Sequence, residues 1–292
     1  PAAAAAAGSG PPGDLAARVA ALVAQDSRVG FPAQEPGVRA NPHGWFFPAH
    51  RVVMANLMSS DTACVLELGS WLGKSTRFIA ERAPNAFLFA VDLWSNDHIR
   101  ADPHYTDAGG ESAFMAHKAA RSRQIEENLT IINTAPIYDV FLKNMWAQRP
   151  GGGRAVGGVV PMKMPCSDGI ELLAQAGIVP EVIYVDASHH YDDVLQDLSM
   201  CLARFPKARI CGDDWDYPPV ARAATDAAAP LGLKIHAEEG KCWAYYAEES
   251  PFSAAGLAAA RAEFLGEEVS AQAQGLFRSA ERVLSQADDA DA

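Results

Sequence analysis

The stretch from Cys64 to Thr76 restricts the fold of this chain more than any other. It begins with the apolar run Cys64-Val65-Leu66, which is typical of a strand buried in a parallel sheet. Gly69 and Gly73 follow, and a run that reads as helix comes next. A strand, a tight glycine turn and a helix N-terminus in this order predict a ligand site, because glycine lets a ligand approach the backbone closely and the helix dipole adds a positive end.

Two nucleotide-binding patterns come close to this turn, and neither fits. The phosphate-loop pattern G-x-x-x-x-G-K-[ST] matches over Gly73-Lys74-Ser75, but Leu68 stands where its first glycine belongs. The dinucleotide pattern G-x-G-x-x-G fails because Trp71 replaces its second glycine. What remains is an E-x-G-x-x-x-G turn that starts at Glu67, and an ordinary strand-to-helix connection without a ligand is the alternative.

Composition narrows the classes of protein that remain. The 292 residues are 49% hydrophobic and 21% charged, as in globular proteins. The net charge of -12 argues against nucleic acid as the main partner. No run approaches the roughly 20 apolar residues of a membrane span, so no membrane partner is expected. Five cysteines without C-x-x-C spacing predict buried thiols in a reducing, cytoplasmic location.

Strand and helix patterns alternate along the chain and predict an α/β fold. Strands are predicted at 64–66, 87–92, 156–164, 181–186 and 209–212, with a hairpin at 233–239 and 242–248. This order predicts a Rossmann-like sheet that is mostly parallel, with one antiparallel strand in a C-terminal hairpin and helices on both faces.

The segments around the sheet are assigned from composition and periodicity. Residues 1–13 read as a linker, 14–60 as an N-terminal helical cap, 61–250 as the main domain, 95–120 as a lid inserted in it, and 251–292 as a C-terminal helical extension. The extension either packs on its own domain or joins two copies in a homodimer. The polar insertion contains His98 and Tyr105, which are candidates for substrate contact.

Acidic residues follow the second and third predicted strands. Asp92 ends the second strand, where a carboxylate can accept hydrogen bonds from the two hydroxyls of a ribose. The alternative role is a helix cap. After the third strand, Asp168 with Ser167 is placed to accept from the exocyclic amine of adenine. Asp168 fits equally well as the N-cap of a helix over 170–176.

Three further carboxylates follow the fourth and fifth strands. Asp186 ends the fourth strand, and Asp213 and Asp214 end the fifth. Adjacent strands lie about 4.8 Å apart, so the three groups are expected to converge and repel one another without a cation. A hard divalent ion such as Mg²⁺ suits this set of oxygens. In the alternative interpretation Asp213 caps a turn and Asp214 is solvated.

The motifs E-x-G-S-x-x-G, D-x-S-H and D-D-W, in this order over roughly residues 60–248, resemble class I S-adenosylmethionine-dependent methyltransferases. They are most similar to the Mg²⁺-dependent small-molecule O-methyltransferases that modify sugars on macrolides and aminocoumarins. The resemblance implies that Asp186, Asp213 and Asp214 bind the metal and that His189 is the general base. It implies a set of cofactor contacts: Glu67, Gly69, Ser70, Gly73, Ser75, Asp92, Ser167 and Asp168. Candidates for substrate contact are His98, Tyr105, His190 and Trp215.

The sequence departs from this family pattern at Trp71, in the long 95–120 segment and at His190, which competes with His189 for the role of base. The expected activity is transfer of a methyl group from S-adenosylmethionine to a hydroxyl of a small molecule or sugar, with Mg²⁺ or another divalent cation. Two alternatives stay open. One is a phosphate-loop nucleotide hydrolase or kinase, suggested by Gly73-Lys74-Ser75-Thr76 and by the apolar run that ends in Asp186. The other is a methyltransferase-like protein that binds a ligand without catalysis.

Overall fold

A computed structural model describes residues 12–101, 130–154, 156–247 and 250–264. In these residues one seven-stranded sheet has the order β3-β2-β1-β4-β5-β7-β6. Its strands are β1 (Cys64–Leu68), β2 (Phe87–Asp92), β3 (Gly158–Lys163), β4 (Val182–Val185), β5 (Arg209–Gly212), β6 (Lys234–Glu238) and β7 (Cys242–Tyr246). Strand β7 runs antiparallel to both of its neighbours, β5 and β6, and all other pairs of neighbouring strands in this sheet are parallel. The predicted Rossmann-like sheet with one antiparallel strand is confirmed.

Helices cover both faces of the sheet. They are α1 (Pro12–Gln25), α2 (Pro48–Leu57), α3 (Lys74–Arg82), α4 (Asn96–Ala101), α5 (Ile137–Met145), α6 (Cys166–Gln175), α7 (Tyr191–Arg204), α8 (Pro218–Ala228) and α9 (Ala254–Phe264). Residues of α2, α3 and α5 share one apolar core, and residues of α1, α6, α7 and α8 share the other. Strand β1 is buried along its whole length, as expected for a central strand covered on both sides.

Strand β3 is shorter than the sequence predicted. Gly157 has φ 75°, in the left-handed region, so the extended backbone cannot start before it. A side chain there would also meet the carbonyl oxygen of Ala86 at 2.3 Å. The strand therefore begins at Gly158 and not at Val156.

The segment after α1 covers the β3 edge of the sheet. Val29 forms an antiparallel bridge with Met162. The Gly30 N–H donates to the Pro161 carbonyl at 2.8 Å, and the Lys163 N–H donates to the Arg28 carbonyl at 2.9 Å. An otherwise open edge is thereby paired.

The cysteines are free thiols, and Cys64, Cys201, Cys211 and Cys242 are buried in the core. Across the described residues, no helix combines the length and apolar character that crossing a membrane would require.

Candidate active site

The turn after β1 presses against the end of β4. Gly69 has φ 83°, and a Cβ atom on it would lie 1.9 Å from the carbonyl oxygen of Asp186. The Asp186 N–H in turn donates to the Leu68 carbonyl at 2.8 Å. Glycine is therefore required at position 69, and its close approach places Asp186 beside the turn.

Glu67 stabilises the glycine turn through hydrogen bonds from the side chains that follow it, and it does not border the cavity described below. Its Oε2 accepts hydrogen bonds from Ser70 Oγ at 2.7 Å and Thr76 Oγ1 at 2.5 Å. Burial raises the pKa of Glu67 to about 7, against the opposing effect of hydrogen bonds from Ser75, Thr76 and Ser70. Gly73 is also buried here, and a Cβ on it would meet side chains of α5. Both residues hold the turn in shape.

Asp92 ties the turn to the end of β2. Its Oδ2 accepts from the backbone N–H groups of Ser70 at 3.0 Å and Trp71 at 2.9 Å, and its Oδ1 accepts from Trp94 at 2.7 Å. A carboxylate offers about four acceptor positions, so about one remains for a ligand hydroxyl. Burial raises the pKa of Asp92, although these three N–H groups oppose the rise. One acceptor position is fewer than the two hydrogen bonds that the sequence analysis expects Asp92 to make with a ribose.

Trp71 adopts a left-handed backbone conformation that the sequence pattern did not reveal. Its φ is 47°, and that of Trp94 is 41°. Trp94 Nε1 donates to the Trp71 carbonyl at 2.6 Å, which helps to hold this unfavourable geometry. Trp45 lies beside Trp71, with ring centroids 6.0 Å apart.

The three predicted carboxylates converge. One oxygen from each of Asp186, Asp213 and Asp214 lies within 4.8 Å of the others. Burial raises the pKa of Asp186 well above its usual range, and the charges of Asp213 and Asp214 add to the rise. A bound cation would relieve this repulsion, so the donor set fits a hard divalent ion.

Two histidines contact the cluster. His189 Nε2 lies 2.9 Å from Asp214 Oδ2, and His50 Nε2 lies 2.6 Å from Asp213 Oδ1. The Phe47 N–H donates to His50 Nδ1 at 2.9 Å, so Nδ1 is an acceptor and the neutral ring carries its proton on Nε2. The sequence analysis missed His50, since it lies in α2 with no motif around it.

A cavity of about 540 Å³ opens in front of the turn. It runs from Asp186 past the ends of β1 and β2 to α6 and α7. Among its walls are these residues singled out from the sequence: Gly69, Ser70, Ser75, Asp92, His98, Ser167, Asp186 and His190. Trp45 and Trp71 also border it.

Several predicted residues lie elsewhere. Asp168 is exposed and 3.6 Å from Arg28, away from the cavity. The prediction that it caps a helix is wrong, because α6 begins earlier, at Cys166, and Asp168 falls in its first turn. Trp215 donates its backbone N–H to the Lys241 carbonyl outside the cavity. Tyr105 and most of the 95–120 segment lie outside the described residues.

The structure adds Asp197 of α7 to the cavity wall. Only 8% of this residue is exposed, and burial raises its pKa to about 6. Interaction with the Cys166 thiol partly opposes this rise. One sequence signal could have found it: Asp197 interrupts the apolar stripe formed by Val194, Leu198 and Cys201.

The sequence matches no protein-family model and no curated protein. Among solved structures, precorrin-6y C5,15-methyltransferase from Geobacter metallireducens is 11% identical with a TM-score of 0.41, over 75% of this chain and 100% of that one. Precorrin 8w decarboxylase from Methanobacterium thermoautotrophicum is 12% identical with a TM-score of 0.40, over 72% and 96%. An O-methyltransferase from Bacillus cereus, in complex with S-adenosylhomocysteine, is 12% identical with a TM-score of 0.37, over 80% and 91%. The activities in these names are those of the three solved structures.

Proposed function

We propose that this protein is an S-adenosylmethionine-dependent methyltransferase that methylates a hydroxyl group of a small molecule or sugar with the help of a divalent cation. One observation supports this most strongly. Asp186 belongs both to the carboxylate cluster and to the wall of the cavity that starts at the glycine turn. A cation held by the cluster would therefore lie beside the cofactor.

The cavity suits the cofactor. Its volume of about 540 Å³ falls in the ordinary range for such sites. Ser70, Ser75, Asp92 and Ser167 offer polar atoms along it, and Gly69 leaves room for close approach to the backbone. When bound, the cofactor would supply an electrophilic methyl group on its sulfonium.

The carboxylate cluster would hold Mg²⁺ or a similar ion. Asp186, Asp213 and Asp214 are its ligands in this proposal, and such an ion lowers the pKa of a hydroxyl that it binds. The His50 ring lies against the carboxylate of Asp213 and limits its movement.

His189 accepts the proton of the acceptor hydroxyl in this proposal. Its contact with Asp214 orients the ring and stabilises the imidazolium that forms. The edge of the ring packs against Tyr217, with centroids 5.8 Å apart, which limits its rotation. His190 is the neighbouring alternative, because it borders the cavity.

Calorimetric titration tests the proposal. S-adenosylhomocysteine is titrated into the protein with and without Mg²⁺, and ATP with Mg²⁺ is the control ligand. We expect micromolar binding of S-adenosylhomocysteine and none of ATP. Binding of ATP alone would instead support the nucleotide hydrolase or kinase, whose two motifs are matched superficially by Gly73-Lys74-Ser75-Thr76 and by the apolar run that ends in Asp186.

The Asp213→Asn variant separates the metal from the cofactor. Asp213 does not border the cavity, so we expect affinity for S-adenosylhomocysteine within about threefold of the wild type. Removing one anionic ligand should weaken divalent-ion binding by tenfold or more, on the order of 1.4 kcal/mol. Electron paramagnetic resonance of added Mn²⁺ measures the second effect. Unchanged Mn²⁺ affinity would argue against the metal site.

A further inference from the structure

Asp197 is a buried carboxylate at the wall of the cavity, and its partners among the described residues are weak. It lies in the middle of α7 with 8% of its surface exposed. No hydrogen bond to its carboxylate meets ordinary distance and angle limits among the described residues, and the thiol of Cys166 is the group there that favours its charged form. No lysine, arginine or histidine in the described part of the chain forms an ion pair with it, and nearby Asp193 adds a second negative charge.

Such a group calls for a further donor, and a ligand in the cavity can supply one. A thiol is a weak donor, and a buried carboxylate without strong hydrogen bonds is costly. Burial raises its pKa to about 6, which leaves the group ionised near neutral pH. A ligand N–H that enters the cavity would therefore meet a ready acceptor.

The order of the strands shows which part of a ligand reaches Asp197. Asp186 follows β4, and Cys166 follows β3. In the sheet, strands β1 and β2 lie between β3 and β4. Three strand spacings separate these two ends by about 14 Å. In the proposed function the methyl donor faces Asp186, so the opposite end of the cofactor, its adenine, points toward Cys166 and Asp197.

We infer that Asp197 accepts a hydrogen bond from the exocyclic amine of the cofactor's adenine, beside Ser167, and so makes the site specific for an amino-purine. This inference rests on the proposed function. It gives Asp197 the role that the sequence pattern assigned to Asp168, which lies exposed beside Arg28.

A deaminated ligand tests the inference without any substitution. S-inosylhomocysteine carries a carbonyl in place of the amine, so it would direct an acceptor at the Asp197 carboxylate. We expect the wild type to bind S-adenosylhomocysteine about 10- to 100-fold more tightly than this analogue in calorimetric titration. Equal affinities would overturn the inference while leaving the proposed function intact. Failure to bind either ligand would overturn both.

The Asp197→Asn variant gives the second reading. Its amide can donate to the carbonyl of the inosine base, so we expect the preference to shrink to about threefold or to reverse. Asp168→Asn is the matched control, since it removes an exposed carboxylate from α6, and it should keep the wild-type ratio. A ratio in Asp197→Asn equal to that of the wild type would place the adenine elsewhere. Because both ligands are compared in one variant, a general loss of stability does not imitate the change of ratio.

Discussion

Single side chains give the candidate site its chemistry, and the two adjacent histidines illustrate this. His189 contacts Asp214, whereas His190 borders the cavity without an ion pair to the cluster among the described residues. Of the two, only His189 contacts a carboxylate among the described residues that can stabilise its protonated form, so their roles can be separated.

We expect His189→Gln to lower kcat by about 10²- to 10³-fold, the usual contribution of a general base. His190→Gln, which changes the same type of side chain one position away, should cost less than about tenfold. Initial rates of S-adenosylhomocysteine formation with a panel of phenols and sugars measure both. The reverse order of effects would transfer the role of base to His190.

Glu67 links the glycine turn to pH. Its folded pKa of about 7 lies above the ordinary value of 4.5. The native state therefore binds the proton more tightly than the unfolded chain, and the free energy of unfolding falls as pH rises from about 4.5 to 7.

Glu67→Gln removes this titration. Between pH 5 and 8 the wild type should lose up to about 3 kcal/mol relative to the variant. Urea unfolding at several pH values measures the difference, and Glu263→Gln, at an exposed position of α9, controls for the loss of a charge. Parallel curves for wild type and Glu67→Gln would contradict the shifted pKa.

At the scale of elements, the turn between β1 and α3 determines where the site forms. Gly69 and Gly240 both have positive φ, 83° and 65°, but only Gly69 has backbone atoms in the place of a side chain. Gly240 has nothing within 4 Å of that place. Alanine substitutions at these two glycines therefore separate the effect of backbone strain from the effect of a clash between Cβ and neighbouring backbone atoms.

We expect Gly69→Ala to abolish binding of S-adenosylhomocysteine and to destabilise the fold by several kcal/mol, because its Cβ would displace the Asp186 carbonyl. Gly240→Ala should cost only about 1–2 kcal/mol, the penalty of a left-handed residue, and leave binding unchanged. Thermal unfolding and calorimetry measure the two effects. Equal losses in both variants would mean that the contact with Asp186 is unimportant.

Sequence patterns predicted which strands and helices form better than they predicted the residue at which each one begins. Strands β2 and β5 have the predicted bounds, since in both an apolar stretch ends abruptly at an aspartate, Asp92 or Asp213. The start of α6 was misplaced because Cys166 and Ser167 read as loop residues. Because the helix begins about one turn earlier than predicted, Asp168 lies in its first turn, exposed on the surface, and not at the expected site.

For the whole molecule, strand order could be predicted, but contacts between distant segments could not. The convergence of Asp186, Asp213 and Asp214 follows from their place after neighbouring strands. The contact of His50 with Asp213 depends on how α2 packs against the sheet, which no local pattern encodes. The same holds for Asp197, which enters the cavity only because α7 lies beside the start of α6.

The buried thiols report on the stability of the whole sheet. Burial raises the pKa of Cys211 to about 12 and also raises those of Cys64, Cys201 and Cys242. These four thiols should therefore be unreactive toward Ellman's reagent in the native state at pH 8 and react fully in guanidinium. Fast native labelling of any of them would show that its strand or helix opens locally.

The pairing of residues 28–30 with β3 affects how the protein can be shortened. A chain that begins just before β1 would lose only Gly44, Trp45 and His50 from the candidate site, yet it would expose the backbone of β3 to other molecules. Such edges recruit further strands. Solubility on expression would then fail for a reason unrelated to catalysis, so a soluble catalytic fragment has to begin upstream of Arg28.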